Sequence, residues 1–220
     1  MVGVAAEVAL RPRVILFAKA PVAGQVKTRL AATVGEPRAL ELYWWSGATV
    51  VAQLRDPRWD LWIAFTPADQ RPLVEGWLGP VDRWLAQPDG DLGTRLAAAA
   101  ESAFADGAGP ALLVGADCLA LTSYRVAEAL ELLATHDAAL GPAYDGGYYL
   151  LGLARALPVF DGLAWSTGTV ANDTRDRLRA VGATWAELPT ERDIDEADDL
   201  DAIADRVDAP AWVRAYPHRP

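Results

Sequence analysis

Apolar residues cluster in seven short runs, at residues 14–18, 61–65, 84–87, 111–116, 138–141, 148–153 and 184–188. Each has the length of a strand, and most are near-continuous rather than alternating, the pattern of strands covered on both faces. Helical spacing fills most of the gaps. Between residues 37 and 54, Leu40, Trp44, Ala48, Val51 and Leu54 recur every three or four positions, which predicts a helix with that stripe turned to the core. Residues 92–104 repeat Leu96, Ala100 and Phe104 four apart, Thr122 can cap a helix carrying Val126, Leu130 and Leu133, and residues 169–181 and 196–203 also read as helices. Alternating strand and helix implies an α/β fold with a mostly parallel sheet, whose ligands bind beyond the carboxyl ends of the strands.

A chain of 220 residues suits one such domain spanning 1–220. Thirty acidic against twenty basic residues oppose nucleic-acid binding. The apolar stretches are too short for a membrane span, Glu7 stands where a secretion signal would be apolar, and Cys118 is a lone cysteine, so a cytoplasmic protein is expected. Only His136 and His218 are present, which leaves little for a histidine zinc site or a Ser-His-Asp triad and points any metal to oxygen ligands. Tryptophans 44, 45, 59, 62, 77 and 84 read as core or partner-contact residues, which admits a homodimer.

Four stretches carry chemistry. The first, FAKAPVAGQVKTRL at residues 17–30, follows the first strand and gathers Lys19, Lys27 and Arg29 around Gly24, as phosphate partners or as a solvated turn. It matches neither a P-loop nor a glycine-spaced dinucleotide fingerprint. In the second, the run 112–116 ends in Asp117, a carboxylate at a strand tip that suits Mg²⁺ or Mn²⁺ on a diphosphate. The third, GPAYDGGYY at 141–149, makes Asp145 either an acid/base residue beside Gly146 and Gly147 or a hairpin-turn residue. The fourth, DIDEADDL at 193–200, reads mainly as helix capping, with Asp193 and Asp195 alternating so that one carboxylate can face the crevice as a second metal ligand. A loop tryptophan, Trp165, followed by Ser166, can stack on a substrate ring.

Together with QPDGDLGTRL at 87–96, these stretches resemble the DUF2064 family, also labelled a glycosyltransferase family associated with arsenosugar biosynthesis, within the GT-A-like nucleotide-diphospho-sugar transferase superfamily. The resemblance implies a three-layer α/β/α sandwich with a mostly parallel, mixed central sheet. Its amino-terminal half would bind nucleotide and its carboxyl-terminal half the acceptor. It implies phosphate contacts at Lys19, Gly24, Lys27 and Arg29, and a loop of Gly90, Asp91, Gly93 and Thr94 beside the base or sugar. It places metal at Asp117 and Asp195, and acceptor contacts at Gly146, Gly147, Trp165 and Ser166. The chain departs from the family's usual pattern at Ala23 and Leu119, where proline is common.

The implied reaction is transfer of a sugar from a nucleotide sugar to a small-molecule acceptor, with Mg²⁺ or Mn²⁺ and with Asp145 as acid/base. The first loop also resembles phospholactate-type guanylyltransferases, so nucleotidyl transfer from an NTP with release of pyrophosphate is the alternative. A nucleotide-binding module without turnover is a third.

Overall fold

The structure, a computed structural model, describes residues 10–217 apart from Ser166. Glu7, His218 and the proposed acceptor residue Ser166 therefore lie outside the described residues. Seven strands form one sheet: β1 (Arg13–Lys19), β2 (Asp60–Thr66), β3 (Arg83–Ala86), β4 (Ala111–Gly115), β5 (Ala138–Pro142), β6 (Tyr148–Leu153) and β7 (Trp185–Glu187). Their order is β3-β2-β1-β4-β6-β5-β7. Every pairing is parallel except those of β6, which runs antiparallel to both β4 and β5. Because β2 lies on one side of β1 and β4 on the other, connections leave β1 and β4 in opposite directions and open a crevice at their carboxyl ends.

The helices are α1 (Thr28–Val34), α2 (Glu36–Leu54), α3 (Arg71–Leu78), α4 (Leu92–Ala105), α5 (Ser123–Leu133), α6 (Val170–Ala180) and α7 (Ala211–Arg214), with a 3₁₀ segment at Ala197–Ile203. Alternate residues of each strand face opposite layers. Val14, Leu16, Ile63 and Val114 pack with Leu30 of α1, the inner faces of α2 and α3, and Val126 and Ala129 of α5. Ile15, Trp62, Ala64 and Leu113 pack with Leu96, Ala99 and Ala103 of α4 and Leu178 of α6. The arrangement is the three-layer sandwich with a mixed sheet. The near-continuous apolar strands follow from it, since both faces of β1 are covered.

Caps explain several helix starts. Asp91 accepts a hydrogen bond from the Thr94 amide at 2.8 Å to begin α4, and Thr122 accepts from the Arg125 amide at 3.3 Å to begin α5. Pro37 and Pro72 sit in the first turns of α2 and α3, where a missing N–H costs nothing. In the sequence Pro72 looks like punctuation of a connection, whereas here it stands inside the first turn of α3, a helix that the apolar periodicity does not predict.

The inward stripe of α2 also differs from the one expected. Ala39, Leu42, Tyr43, Ser46, Gly47, Val50, Val51 and Leu54 are buried, while Ala48 is exposed and Leu40 and Trp44 are half-buried. The reason is α3, whose Trp77 lies across α2, stacks near Tyr43 and Trp44 with ring centroids 4.9 and 5.6 Å away, and donates its Nε1–H to the Trp44 carbonyl at 2.8 Å. That ring needs a position with no side chain, which Gly47 supplies. A Cβ at Gly47 would collide with the Trp77 ring, whereas nothing lies within 4 Å of a Cβ at Gly76 in α3. The same substitution should therefore act with opposite signs. Gly47→Ala is expected to lower stability by about 1–3 kcal/mol through overpacking, and Gly76→Ala to raise it by roughly 0.5–1 kcal/mol through helix propensity, both read from denaturant midpoints.

Candidate functional site at the carboxyl ends of β1, β4 and β5

The loop after β1 is held by its own backbone and by Tyr43. The Tyr43 hydroxyl accepts from the Lys19 amide and donates to the Lys19 carbonyl, both at 3.0 Å, which pins the end of the strand. Gly24 turns with φ +72°, and the Glu36 carboxylate lies against it. Lys19 turns back into the loop, its Nζ donating to the Gln25 carbonyl at 2.9 Å. The loop ends at Lys27, which adopts the left-handed conformation (φ 47°, ψ 44°) immediately before α1.

That backbone sends the Lys27 side chain inward, where it is only 4% exposed. Its Nζ donates to Asp117 Oδ2 at 2.8 Å and lies 3.6 Å from Asp195 Oδ1. Asp117 stands just beyond β4 with its carboxylate folded back over Gly115. Asp195 is brought up by the segment after β7, where the Ile194 amide donates to the Asp117 carbonyl at 3.2 Å and Ile194 is buried. Arg29, in the first turn of α1, pairs with Asp195 at 3.0 Å and Glu196 at 3.2 Å from an exposed position. The basic loop and the strand-tip acid, expected from sequence to share one crevice, are in direct contact.

Close to both Asp117 and Lys27 is Asp193, the less favoured acid of the Asp193–Asp195 alternation in sequence. Its Oδ1 is buried and has no hydrogen-bond partner among the described residues. Burial and then the charge of Asp117 push its pKa up to about 8, against the opposing pull of Lys27. For Lys27, burial acts to lower the pKa, but Asp117, Asp195 and Asp193 together outweigh it and hold it above the ordinary lysine value. The only sequence signal for Asp193 was the Asp-Ile-Asp alternation around a buried isoleucine, which does not say which acid lies deeper.

A cavity of about 360 Å³ opens over this cluster, and its wall includes Arg29, Asp117, Asp145, Gly147, Tyr148, Trp165, Thr167, Asp193 and Asp195. Asp145 occupies the β5–β6 hairpin tip and is both things the sequence allowed. Its Oδ1 accepts from the Gly147 amide at 2.8 Å, as in a turn, and its carboxylate borders the cavity. Gly146 (φ +87°) abuts the backbone of Gly168, so its position admits no side chain. Trp165 reaches the cavity from the loop before α6 and packs on Gly93, where a Cβ would come 2.5 Å from its Nε1. Gly90 and Thr94 turn around the Asp91 cap, and of this loop Leu92 lines the cavity. Of the residues expected at the site, Lys19, Gly24, Lys27, Gly90, Asp91, Gly93, Thr94 and Gly146 do not form the cavity wall.

Asp117, Asp193 and Asp195 offer oxygen donors of the kind a hard divalent ion takes, and Asp193 Oδ1 has no hydrogen-bond partner among the described residues. Among the described residues, however, no three acidic, histidine or cysteine side chains are placed to hold an ion as they stand. Lys27 lies between them. No described helix is long and apolar enough to cross a membrane.

The family profile described as "Uncharacterized protein conserved in bacteria (DUF2064)" matches residues 49–167, more than half of the sequence and including Asp117, Asp145 and Trp165. The chain belongs to the DUF2064 family. It resembles a crystal structure from Desulfovibrio desulfuricans G20, provisionally described as a nucleotide-diphospho-sugar transferase, with 34% identity and a TM-score of 0.83 over 94% of this chain and 91% of that one. At the level of fold it is similar to a CMP:2-keto-3-deoxy-manno-octonic acid synthetase solved with CTP, at 13% identity and a TM-score of 0.53 over 88% and 96% of the two chains. A manganese complex of Rv0371C from Mycobacterium tuberculosis H37Rv shares 16% identity and a TM-score of 0.52 over 89% and 98%. No curated protein matches the sequence. The DUF2064 chain thus has the GT-A-like fold that its motifs implied.

The proton on Asp193 gives a stability signature. Below pH ~4 the carboxyl is protonated in folded and unfolded chains alike; above it the unfolded chain loses the proton while the folded one keeps it to about pH 8. Stability should fall across that window by up to about 1.4 kcal/mol per pH unit from this group. Asp193→Asn is expected to flatten the decline and raise the melting temperature at pH 8 more than at pH 5, measured by calorimetry.

Proposed function

We propose that the protein is a metal-assisted glycosyltransferase, moving a sugar from a nucleotide-diphospho-sugar to a hydroxyl of a small acceptor. The pairing of Lys27 and Arg29 with Asp117 and Asp195, beside a cavity whose wall holds Arg29, Asp117, Asp193 and Asp195 together with Asp145, Gly147 and Trp165, carries this reading. The fold of a nucleotide-sugar transferase relative at 34% identity supports it.

In this reading Asp117 and Asp195, with Asp193 near them, would hold Mg²⁺ or Mn²⁺, whose chemistry would be to supply positive charge to a leaving diphosphate. Arg29 adds a two-pronged donor at the mouth, where its exposure lets it reach a phosphate. The Gly90–Thr94 loop borders the nucleotide through Leu92. Trp165 offers a flat apolar wall and Gly147 a close backbone approach for the acceptor. Asp145 accepts or orients the acceptor hydroxyl proton as the new oxygen–carbon bond forms and the sugar–phosphate bond breaks, with nucleoside diphosphate leaving. The small acceptor is an uncharged or cationic one, because the carboxylates of Asp117, Asp195 and Asp145 face the space and Arg29 is the single cation among the described residues of its wall. A cytoplasmic setting accords with a free, buried Cys118.

Nucleotidyl transfer from an NTP is the second reading, supported at the level of fold by the CTP-bound synthetase. The placement of the basic side chains favours the first. A triphosphate calls for more cations than a diphosphate, yet Lys19 is turned to the Gln25 carbonyl.

Incubation with candidate nucleotide sugars, Mn²⁺ and a panel of polyol and sugar acceptors should release nucleoside diphosphate; pyrophosphate from an NTP would transfer support to the second reading. Asp145→Asn keeps the oxygen that accepts from Gly147, so it should leave nucleotide affinity within about twofold and lower kcat by roughly 10²-fold or more.

A further inference from the structure

Lys27 is the only non-glycine residue among the described ones with a positive φ. A lysine in that conformation costs on the order of 1 kcal/mol, and the surrounding structure must impose it. The consequence is local and specific: the ammonium is delivered, buried, to a point 2.8 Å from Asp117 and 3.6 Å from Asp195. A divalent ion held by these carboxylates would draw on the same oxygens, Asp117 Oδ2 and Asp195 Oδ1, and so would compete for the volume that Nζ fills. An ammonium and a divalent ion cannot share it. The ammonium, once displaced, is too buried to be left unpaired and needs another anion within reach of its stem.

We propose that Lys27 is a built-in occupant of the divalent-ion site, yielding it only when a diphosphate arrives to take over its ammonium, so that the ion binds together with the nucleotide and poorly without it. The inference rests on the proposed reading that Asp117 and Asp195 hold the ion. It turns Lys27 from a simple phosphate contact into a positioning residue that sets the order of loading. Two further observations fit. The carboxylates as they stand form no three-membered ion site among the described residues, and the third acid, Asp193, is close enough to act on the Lys27 ammonium while its Oδ1 is buried without a hydrogen-bond partner. Because coupling between two ligands is reciprocal, the ion must tighten the nucleotide by the same factor as the nucleotide tightens the ion.

The test is Mn²⁺ binding by calorimetry and electron paramagnetic resonance, with and without saturating CDP, GDP or UDP and with free Mn–nucleotide complex subtracted. Wild-type protein should bind Mn²⁺ at least about tenfold more tightly with a nucleoside diphosphate than alone. Lys27→Gly accepts the left-handed backbone and removes the cation, so it should bind Mn²⁺ alone at least about tenfold more tightly than wild type, with the nucleotide effect reduced to roughly threefold or less. Lys27→Met, which refills the buried path of the stem, should behave alike and guards against a loop collapse in the glycine variant. Equal Mn²⁺ affinity in wild type and both variants, with nucleotide coupling unchanged, would overturn the role of Lys27 while leaving the metal reading in place. Absence of Mn²⁺ binding in all three proteins, nucleotide present or not, would overturn the metal reading and this inference with it.

Discussion

The contact between the Lys27 ammonium and the Asp117 carboxylate is the constraint around which the site is arranged. It joins the loop after β1 to the loop after β4 across the point where the sheet's connections diverge, and it does so with a side chain that solvent hardly reaches. Removing either partner would strand a charge, at a cost on the order of a few kcal/mol, so neither loop can drift independently. Arg29, by contrast, forms its pairs with Asp195 and Glu196 in water, where such bridges contribute little to stability and are readily exchanged for a ligand. One cation is structural until something replaces it, and the other is available.

The acidic segment 193–199 shows how capping and site-building share residues. Asp199 accepts from the Asp195 and Glu196 amides at 3.0 and 2.8 Å and closes a capping box with Glu196, which fixes the start of the 3₁₀ segment. With that end fixed and Ile194 buried, Asp193 and Asp195 are both brought close to Lys27. The capping interpretation of this stretch and the ligand interpretation describe different residues of the same run, and both are satisfied by one backbone path.

Much of the fold was readable because it rests on periodicities that burial enforces. Both faces of β1 and β4 are covered, so their apolar runs are unbroken, and Asp91 and Thr122 announce α4 and α5 by their capping chemistry. What escaped depends on contacts between elements distant in sequence. Gly47 faces inward only because Trp77 arrives from α3, and α3 itself was hidden by a proline whose meaning changes with its place in a helix. At the site, the strand-tip position of Asp117 and the Asp-Gly-Gly hairpin were legible, as was the cationic loop. The inward turn of Lys27 was not, since a left-handed lysine has no signature in composition. Nor was the depth of Asp193, which is set by the carboxylate beside it and the sheet beneath it.

The backbone-to-backbone closeness of Gly146 and Gly168 bears on how this scaffold can diversify. Where two main chains touch, no side chain exists to be exchanged, so that wall of the chamber is closed to evolutionary tinkering by point substitution. Selectivity within this lineage would have to be retuned from the neighbouring rim, at Leu92, Trp165 and Thr167, while the hairpin tip stays invariant in shape.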